Sequence, residues 1–242
     1  MKSLNSLIII TSNNKLDCST NKEGVWIQDI AVPYFIFKDA GEVITVASPH
    51  GGQIFLDKIS LSNAVASEPS LRFQQDSQAM YHLTHSIPIK ELKQEDFDLV
   101  FIVGGYTCNG NFETNNDFKN ILEDFNNHKK PIAFVGYSVA ALVALVTDGG
   151  RPFVKGKSLT CFSNTEERSA HLKDRPPFSL QSKLVSLGAL YSKGTDFASY
   201  VVVDENLITG QNPASSAEAA KQILSLAHNK EEDLKNQVST IV

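Results

Sequence analysis

The stretch Lys130 to Leu142, KPIAFVGYSVAAL, carries the most chemically suggestive pattern in the chain. Pro131 to Val135 is a continuous apolar run that reads as a buried strand; it closes on Gly136, and a helix of small residues follows from Ser138 to Val146. A strand turning directly into such a helix is the geometry of a nucleophile elbow. Its apex residue is held at a strained backbone angle with the side chain in a pocket, and the N–H groups of the helix N-terminus face a developing oxyanion. Here the apex has no side chain. Gly136 removes any nucleophile there and also relaxes the strained backbone. Tyr137, whose phenol ordinarily titrates at about 10, is a poor base at neutral pH; it either lines a ligand pocket or fills vacated volume. Ser138 is either a substitute nucleophile or a capping hydroxyl of the first turn.

A second strand, Asp98 to Val103, ends on Gly104-Gly105 and continues as Tyr106-Thr107-Cys108. Its loop is expected to border the same pocket, with Gly105 and Tyr106 among the lining residues. Cys108 is then either a displaced thiol nucleophile or a partly buried, unreactive cysteine. Glu166 and Glu167 follow Ser163-Asn164, a capping and helix-dipole pattern that also makes Glu166 a candidate pocket residue. Cys161 lies inside a strand pattern and reads as core. The six histidines are scattered; His82 and His85 stand three apart on a predicted helix, which is weak as a metal signal. No metal or other cofactor is expected.

Short apolar runs alternating with segments of helical period supply the elements that position these residues. Strands are predicted at Ser6–Thr11, Glu42–Ala47 and Ser158–Phe162, besides the two above. A helix over Glu23–Ala40 contains Pro33, which should kink or interrupt it. Further helices are predicted at about Asn116–Asn127, Asn164–Leu172, Phe178–Leu187 and Pro213–Ala227, and a hairpin at Tyr200–Thr209 turns around Asp204-Glu205-Asn206. The polar segment from Pro49 to about Leu71 reads as a cover insertion. Alternating strands and helices imply an α/β fold, a parallel sheet sandwiched by helices, with sites at the C-terminal ends of its strands. Residues 1–228 are expected as a single domain and 229–242 as a charged tail.

The 242 residues are 42% hydrophobic and 20% charged, an ordinary globular balance. A net charge of −5 argues against nucleic-acid or anionic-membrane partners, which call for a basic face. No run approaches the roughly 18 apolar residues of a membrane span. Cys18, Cys108 and Cys161 have neither disulfide nor zinc spacing. A reducing compartment, the cytoplasm, is the expectation.

Five further strings carry a family resemblance: GVWIQDIAVPY from Gly24, ASPHGG from Ala47, FSNTEE from Phe162, YSKG from Tyr191 and LITGQNPASS from Leu207. Together with the elbow they resemble the ThiJ/PfpI family of the class I glutamine amidotransferase-like superfamily, in its heat-shock chaperone and glyoxalase III branch, over nearly the whole chain. The resemblance implies a flavodoxin-like fold with small insertions, a homodimer, and thiol chemistry on small carbonyl compounds. It also exposes a departure. Where that branch has Cys-His-Gly-Pro before Ala-Ala-Leu, this chain has Gly136-Tyr137-Ser138-Val139. Asp29 falls where the family has a glutamate that touches the cysteine and sets its ionisation; here it is either a retained acid or a carboxylate hydrogen-bonded to its surroundings. After Gly104-Gly105 the family histidine is likewise absent. The resemblance thus implies a catalytically impaired member acting by binding, as a chaperone-like or regulatory protein. The alternative is a glyoxalase III or deglycase-type enzyme of altered mechanism, using Cys108 or Asp29 with water.

Overall fold

The structure is a computed structural model that describes residues 3–10, 24–62, 64–104, 115–147, 149–170 and 178–239, the side chains of 233–239 excepted. β1 (Asn5–Ile10) and β4 (Leu99–Val103) form the centre of the main sheet. Their unbroken aliphatic runs, with nearly every residue buried, suit strands covered on both faces. β2 (Val43–Ser48) and the two-residue β3 (Ile87–Pro88) extend the sheet on one side of β1; β5 (Ile132–Val135), β9 (Leu207–Gly210) and β8 (Val201–Asp204) extend it beyond β4. The order is β3-β2-β1-β4-β5-β9-β8, parallel except for β8, which pairs antiparallel with β9 through the expected hairpin. β6 (Ser158–Leu159) and β7 (Leu190–Tyr191) form a separate parallel pair.

Two apolar layers cover the sheet. On one face, α1 (Ile27–Asp39) packs against α7 (Ser216–Ser239), and Ile30, Ala31, Tyr34, Ala219, Ala220 and Ile223 share one buried cluster with Ile8 and Phe101 of the sheet. α2 (Glu68–Gln75) and α3 (Ser77–Thr84) flank α1 and β2. On the other face, α4 (Asn116–Asn127) buries Phe118, Ile121, Leu122 and Phe125, the i, i+3, i+4, i+7 stripe of an amphipathic helix. Each such side chain contributes about 1.5–3 kcal/mol by leaving water. α5 (Asn164–Ser169) and α6 (Leu180–Ser186) complete this layer near β6 and β7.

Three expectations are corrected. α1 runs through Pro33 without interruption; the proline, lacking an N–H, withholds the hydrogen bond that would reach back to the carbonyl of Asp29. The strand expected over Ser158–Phe162 is only two residues long, because the segment spends its polar contacts on the hairpin instead of a ladder: the Ser158 N–H donates to Asp204 and the Thr160 N–H to Thr209 Oγ1. The closing helix, expected to end near Ala227, continues to Ser239. The middle turns of α7 also reach both layers. His228 Nε2 lies 2.9 Å from Glu42 Oε1, at the turn after α1, and Lys230 Nζ donates to the carbonyl of His128, at the end of α4, at 2.7 Å. Among the described residues no helix is long and apolar enough to cross a membrane.

Candidate functional site

β5 delivers the chain to the C-terminal edge of the sheet, and there Gly136 adopts φ +61° before a 3₁₀ helix runs from Gly136 to Ala144. This is the predicted apex. Among the described residues, an ideal Cβ built on Gly136 would meet only the Cα of Asn212, at 3.9 Å. These residues leave room for a side chain, and what favours glycine is the left-handed backbone, costing an L-residue about 1–2 kcal/mol.

Ser138 is fully buried and spends its hydroxyl on the turn itself: its Oγ accepts from the Val135 N–H at 2.8 Å and donates to the Val135 carbonyl at 2.9 Å. Proton and lone pair thus close the elbow rather than attack a substrate. Tyr137 is buried, its ring 5.0 Å from that of Phe162 at an interplanar angle of 31°. Phe162 in turn meets Phe197 edge-on at 6.2 Å. Tyr137 therefore belongs to an aromatic series running outward from the apex.

Glu166 is fully buried in the first turn of α5. Its Oε2 accepts from the Ser163 N–H at 2.9 Å, completing a capping box. Its Oε1 accepts from the Phe197 N–H at 2.8 Å and from Asn212 Nδ2 at 2.7 Å. Burial pushes the carboxyl upward, but the hydrogen bonds from Ser163, Phe197 and Asn212 outweigh it and hold Glu166 below the usual carboxylate range. Glu166 is thus joined to the apex through Asn212, among the described residues the one nearest a Cβ on Gly136.

Asn212 has a second task. Its Nδ2 also donates to the Ala198 carbonyl at 2.8 Å, while Gln211 Oε1 accepts from the Gly194 N–H at 2.8 Å and Ser215 Oγ from the Tyr200 N–H at 3.1 Å. These buried side chains anchor the irregular loop from Gly194 to Tyr200. Within it Phe197 sits at φ +62°, a conformation costing a non-glycine residue about 1–3 kcal/mol. Sequence reasoning missed Phe197 and Asn212 as site residues. For Asn212 a signal existed, since it lies two residues past Gly210, the last residue of β9, at the strand end where sites collect in α/β sheets. Phe197 carries no such signal, because its conformation is imposed by side chains distant in sequence.

Asp29 lies in the first turn of α1. The residue is half-buried, but its Oδ1 is covered and, among the described residues, has no hydrogen-bond partner. Desolvation pushes the carboxyl up to about 7. No described hydrogen bond links Asp29 to the elbow. Gly105, Tyr106 and Cys108 lie outside the described residues. Cys161 is buried and its thiol is pushed well above its usual range by desolvation and by the charges of Glu167 and Glu166, so it is an inert core thiol. His82 and His85 diverge: the His82 ring meets Tyr34 edge-on at 5.9 Å, while His85 stacks on Tyr81 at 4.2 Å. No group of three or more His, Cys, Asp or Glu that could hold a metal occurs among the described residues.

A parallel-dominated sheet between two helical layers, with a strand-to-helix elbow at its C-terminal edge, defines the flavodoxin-like fold of the class I glutamine amidotransferase-like proteins. The profile of the DJ-1/PfpI family matches residues 22–226, and the chain belongs to that family. Glutathione-independent glyoxalase hsp3101 of Schizosaccharomyces pombe is 24% identical over 216 residues, 85% of this chain and 88% of that protein. Rapid Encystment Protein 24 kDa of Francisella tularensis superposes with a TM-score of 0.84 at 27% identity, covering 93% of this chain and 99% of the other. Glyoxalase III of Candida albicans has the same fold, with a TM-score of 0.80 at 20% identity over 92% of this chain and 97% of the other.

Proposed function

We propose that this DJ-1/PfpI protein acts by binding at its elbow, in a chaperone-like or regulatory role, and not by thiol chemistry there. The observation that carries the reading is Gly136. The apex keeps its left-handed backbone and the space for a side chain, yet holds neither thiol nor hydroxyl. Ser138 offers no substitute, being committed to Val135. Loss of a covalent nucleophile costs several orders of magnitude in rate even where oxyanion donors persist. The names of the glyoxalase relatives make a small carbonyl compound the first ligand class to test, and the family resemblance favours a homodimer. The decisive measurement is methylglyoxal consumption at pH 7. The expected result is no turnover above a heat-treated control.

A second reading, a glyoxalase III-like enzyme of altered mechanism, is favoured by one observation. A carboxyl pushed up to about 7, with one oxygen that has no partner among the described residues, is poised for proton transfer at neutral pH. It requires a wild-type rate that disappears in Asp29→Asn. A rate that disappears in Cys108→Ala would instead establish a displaced thiol, and either result overturns the binding reading.

A further inference from the structure

We infer that the loop from Gly194 to Tyr200 is a preformed ridge of the elbow site, and that the exposed ring of Phe197 is the face on which the site's small-molecule ligand lays a flat aromatic or conjugated group. This rests on the elbow being a binding site and adds the class of ligand it takes.

Glu166, Gln211, Asn212 and Ser215 are each at most 1% exposed, and all four hydrogen-bond the loop's backbone. From the outer side, Asp196 Oδ1 accepts from Thr165 Oγ1 and from Lys193 Nζ, each at 2.7 Å. Buried polar side chains are costly unless satisfied, and here their hydrogen bonds converge on a segment that adds little to the core: Thr195, Phe197, Ala198 and Ser199 are exposed. What the arrangement produces is a phenylalanine left 50% exposed on a left-handed backbone that glycine would adopt without strain. Conformational strain maintained by an over-determined surround is characteristic of ligand clamps.

The placement is next to the apex. Asn212, whose Cα is, among the described residues, the atom nearest a Cβ on Gly136, is the residue that clamps Ala198. Phe197 meets Phe162 edge-on at 6.2 Å and Phe162 meets Tyr137 at 5.0 Å, so a planar group on the free face of Phe197 would extend an existing series of rings. The neighbours along the loop decide the kind of occupant. Lys193, Thr195, Ala198 and Ser199 are small or polar, so the loop presents a single ring and not the apolar core of a stable protein interface, which takes about 800 Å² from each partner. One flat small molecule fits what the loop offers.

The test is an NMR titration of the full ¹⁵N-labelled chain with acetophenone and, separately, with acetone, on wild type, Phe197→Ala and Phe197→Gly. Acetophenone is expected to shift the amide signals of Phe197, Phe162 and Tyr137 saturably, at concentrations where acetone leaves them unmoved. Both substitutions should weaken acetophenone binding about fivefold. Phe197→Gly should melt no lower than Phe197→Ala, because glycine relaxes the backbone, which separates lost stacking from lost folding. Unchanged affinity in both variants overturns the proposal, as do shifts mapping away from these residues. A dimer that dissociates in both variants also overturns it, by making the ring a contact between copies. The titration is independent of turnover: methylglyoxal consumption by the wild type would remove the binding reading of the elbow without altering whether Phe197 holds an aromatic group.

Discussion

Asp29 and Gly136 each make a measurable prediction. The folded Asp29 carboxyl titrates at about 7 because burial disfavours its charge, whereas in the unfolded chain it titrates at about 4. Between those values the folded state binds the extra proton, so Asp29's contribution to stability is largest below about pH 4 and is lost as pH rises, levelling off above about 7. Asp29→Asn, neutral throughout, should therefore be the more stable protein at pH 8, by about 1–3 kcal/mol in urea unfolding, with the advantage vanishing near pH 4. Equal differences at both pH values would mean that the carboxyl is not held neutral. At Gly136 the open space predicts that Gly136→Cys with Tyr137→His folds, at a cost of about 1–2 kcal/mol for the left-handed backbone. The new thiol, aimed at a helix N-terminus, should be alkylated by iodoacetamide at neutral pH faster than buried Cys161, as followed by mass spectrometry. A thiol with the ordinary pKa of about 8.5 and no excess reactivity would point to a pocket rebuilt for another purpose.

The elbow as an element is held by one hydroxyl. Ser138→Ala leaves the Val135 N–H and carbonyl without that partner inside the protein, so a loss of about 1–3 kcal/mol in thermal or urea unfolding is expected. A smaller loss would mean that the turn finds another partner. The same element marks how much the sequence disclosed. β4, β5 and the apex between Val135 and Ser138 were legible because uninterrupted aliphatic runs ending in glycine have few other solutions in an α/β sheet. α4 was legible from the spacing of Phe118, Ile121, Leu122 and Phe125. Pro33 misled because the rule about proline is local, while the buried face of α1 against α7 and the sheet holds the helix together around a missing hydrogen bond. The short β6 misled for the opposite reason: its apolar character serves burial, and its amide groups are claimed by Asp204 and Thr209, residues nearly fifty positions away. Gly136 as the apex and Glu166 in a capping box were legible from pattern, whereas the loop carrying Phe197 owes its shape to four side chains from other parts of the chain.

For the whole molecule, the assembly expected from the family is a homodimer. Light scattering at micromolar concentration should return twice the monomer mass, and a monomer mass would remove that expectation. The layering has another consequence, one of timing. α1 ends at residue 39, yet the helix that covers it, α7, begins only at Ser216 and places Ala219, Ala220, Ile223 and Ala227 in the shared cluster. A ribosome adding about 5–20 residues per second takes on the order of 10–40 s to travel from the end of α1 to Ala227. Throughout that interval the apolar stripe of Ile30, Ala31 and Tyr34 lacks its final neighbour, and β5, once made, waits about 70 residues for β9. The nascent chain therefore passes through a long window in which its earliest helix is sticky, and a stalled or truncated product ending before Ser216 would be a ready client for chaperones that hold exposed apolar surface.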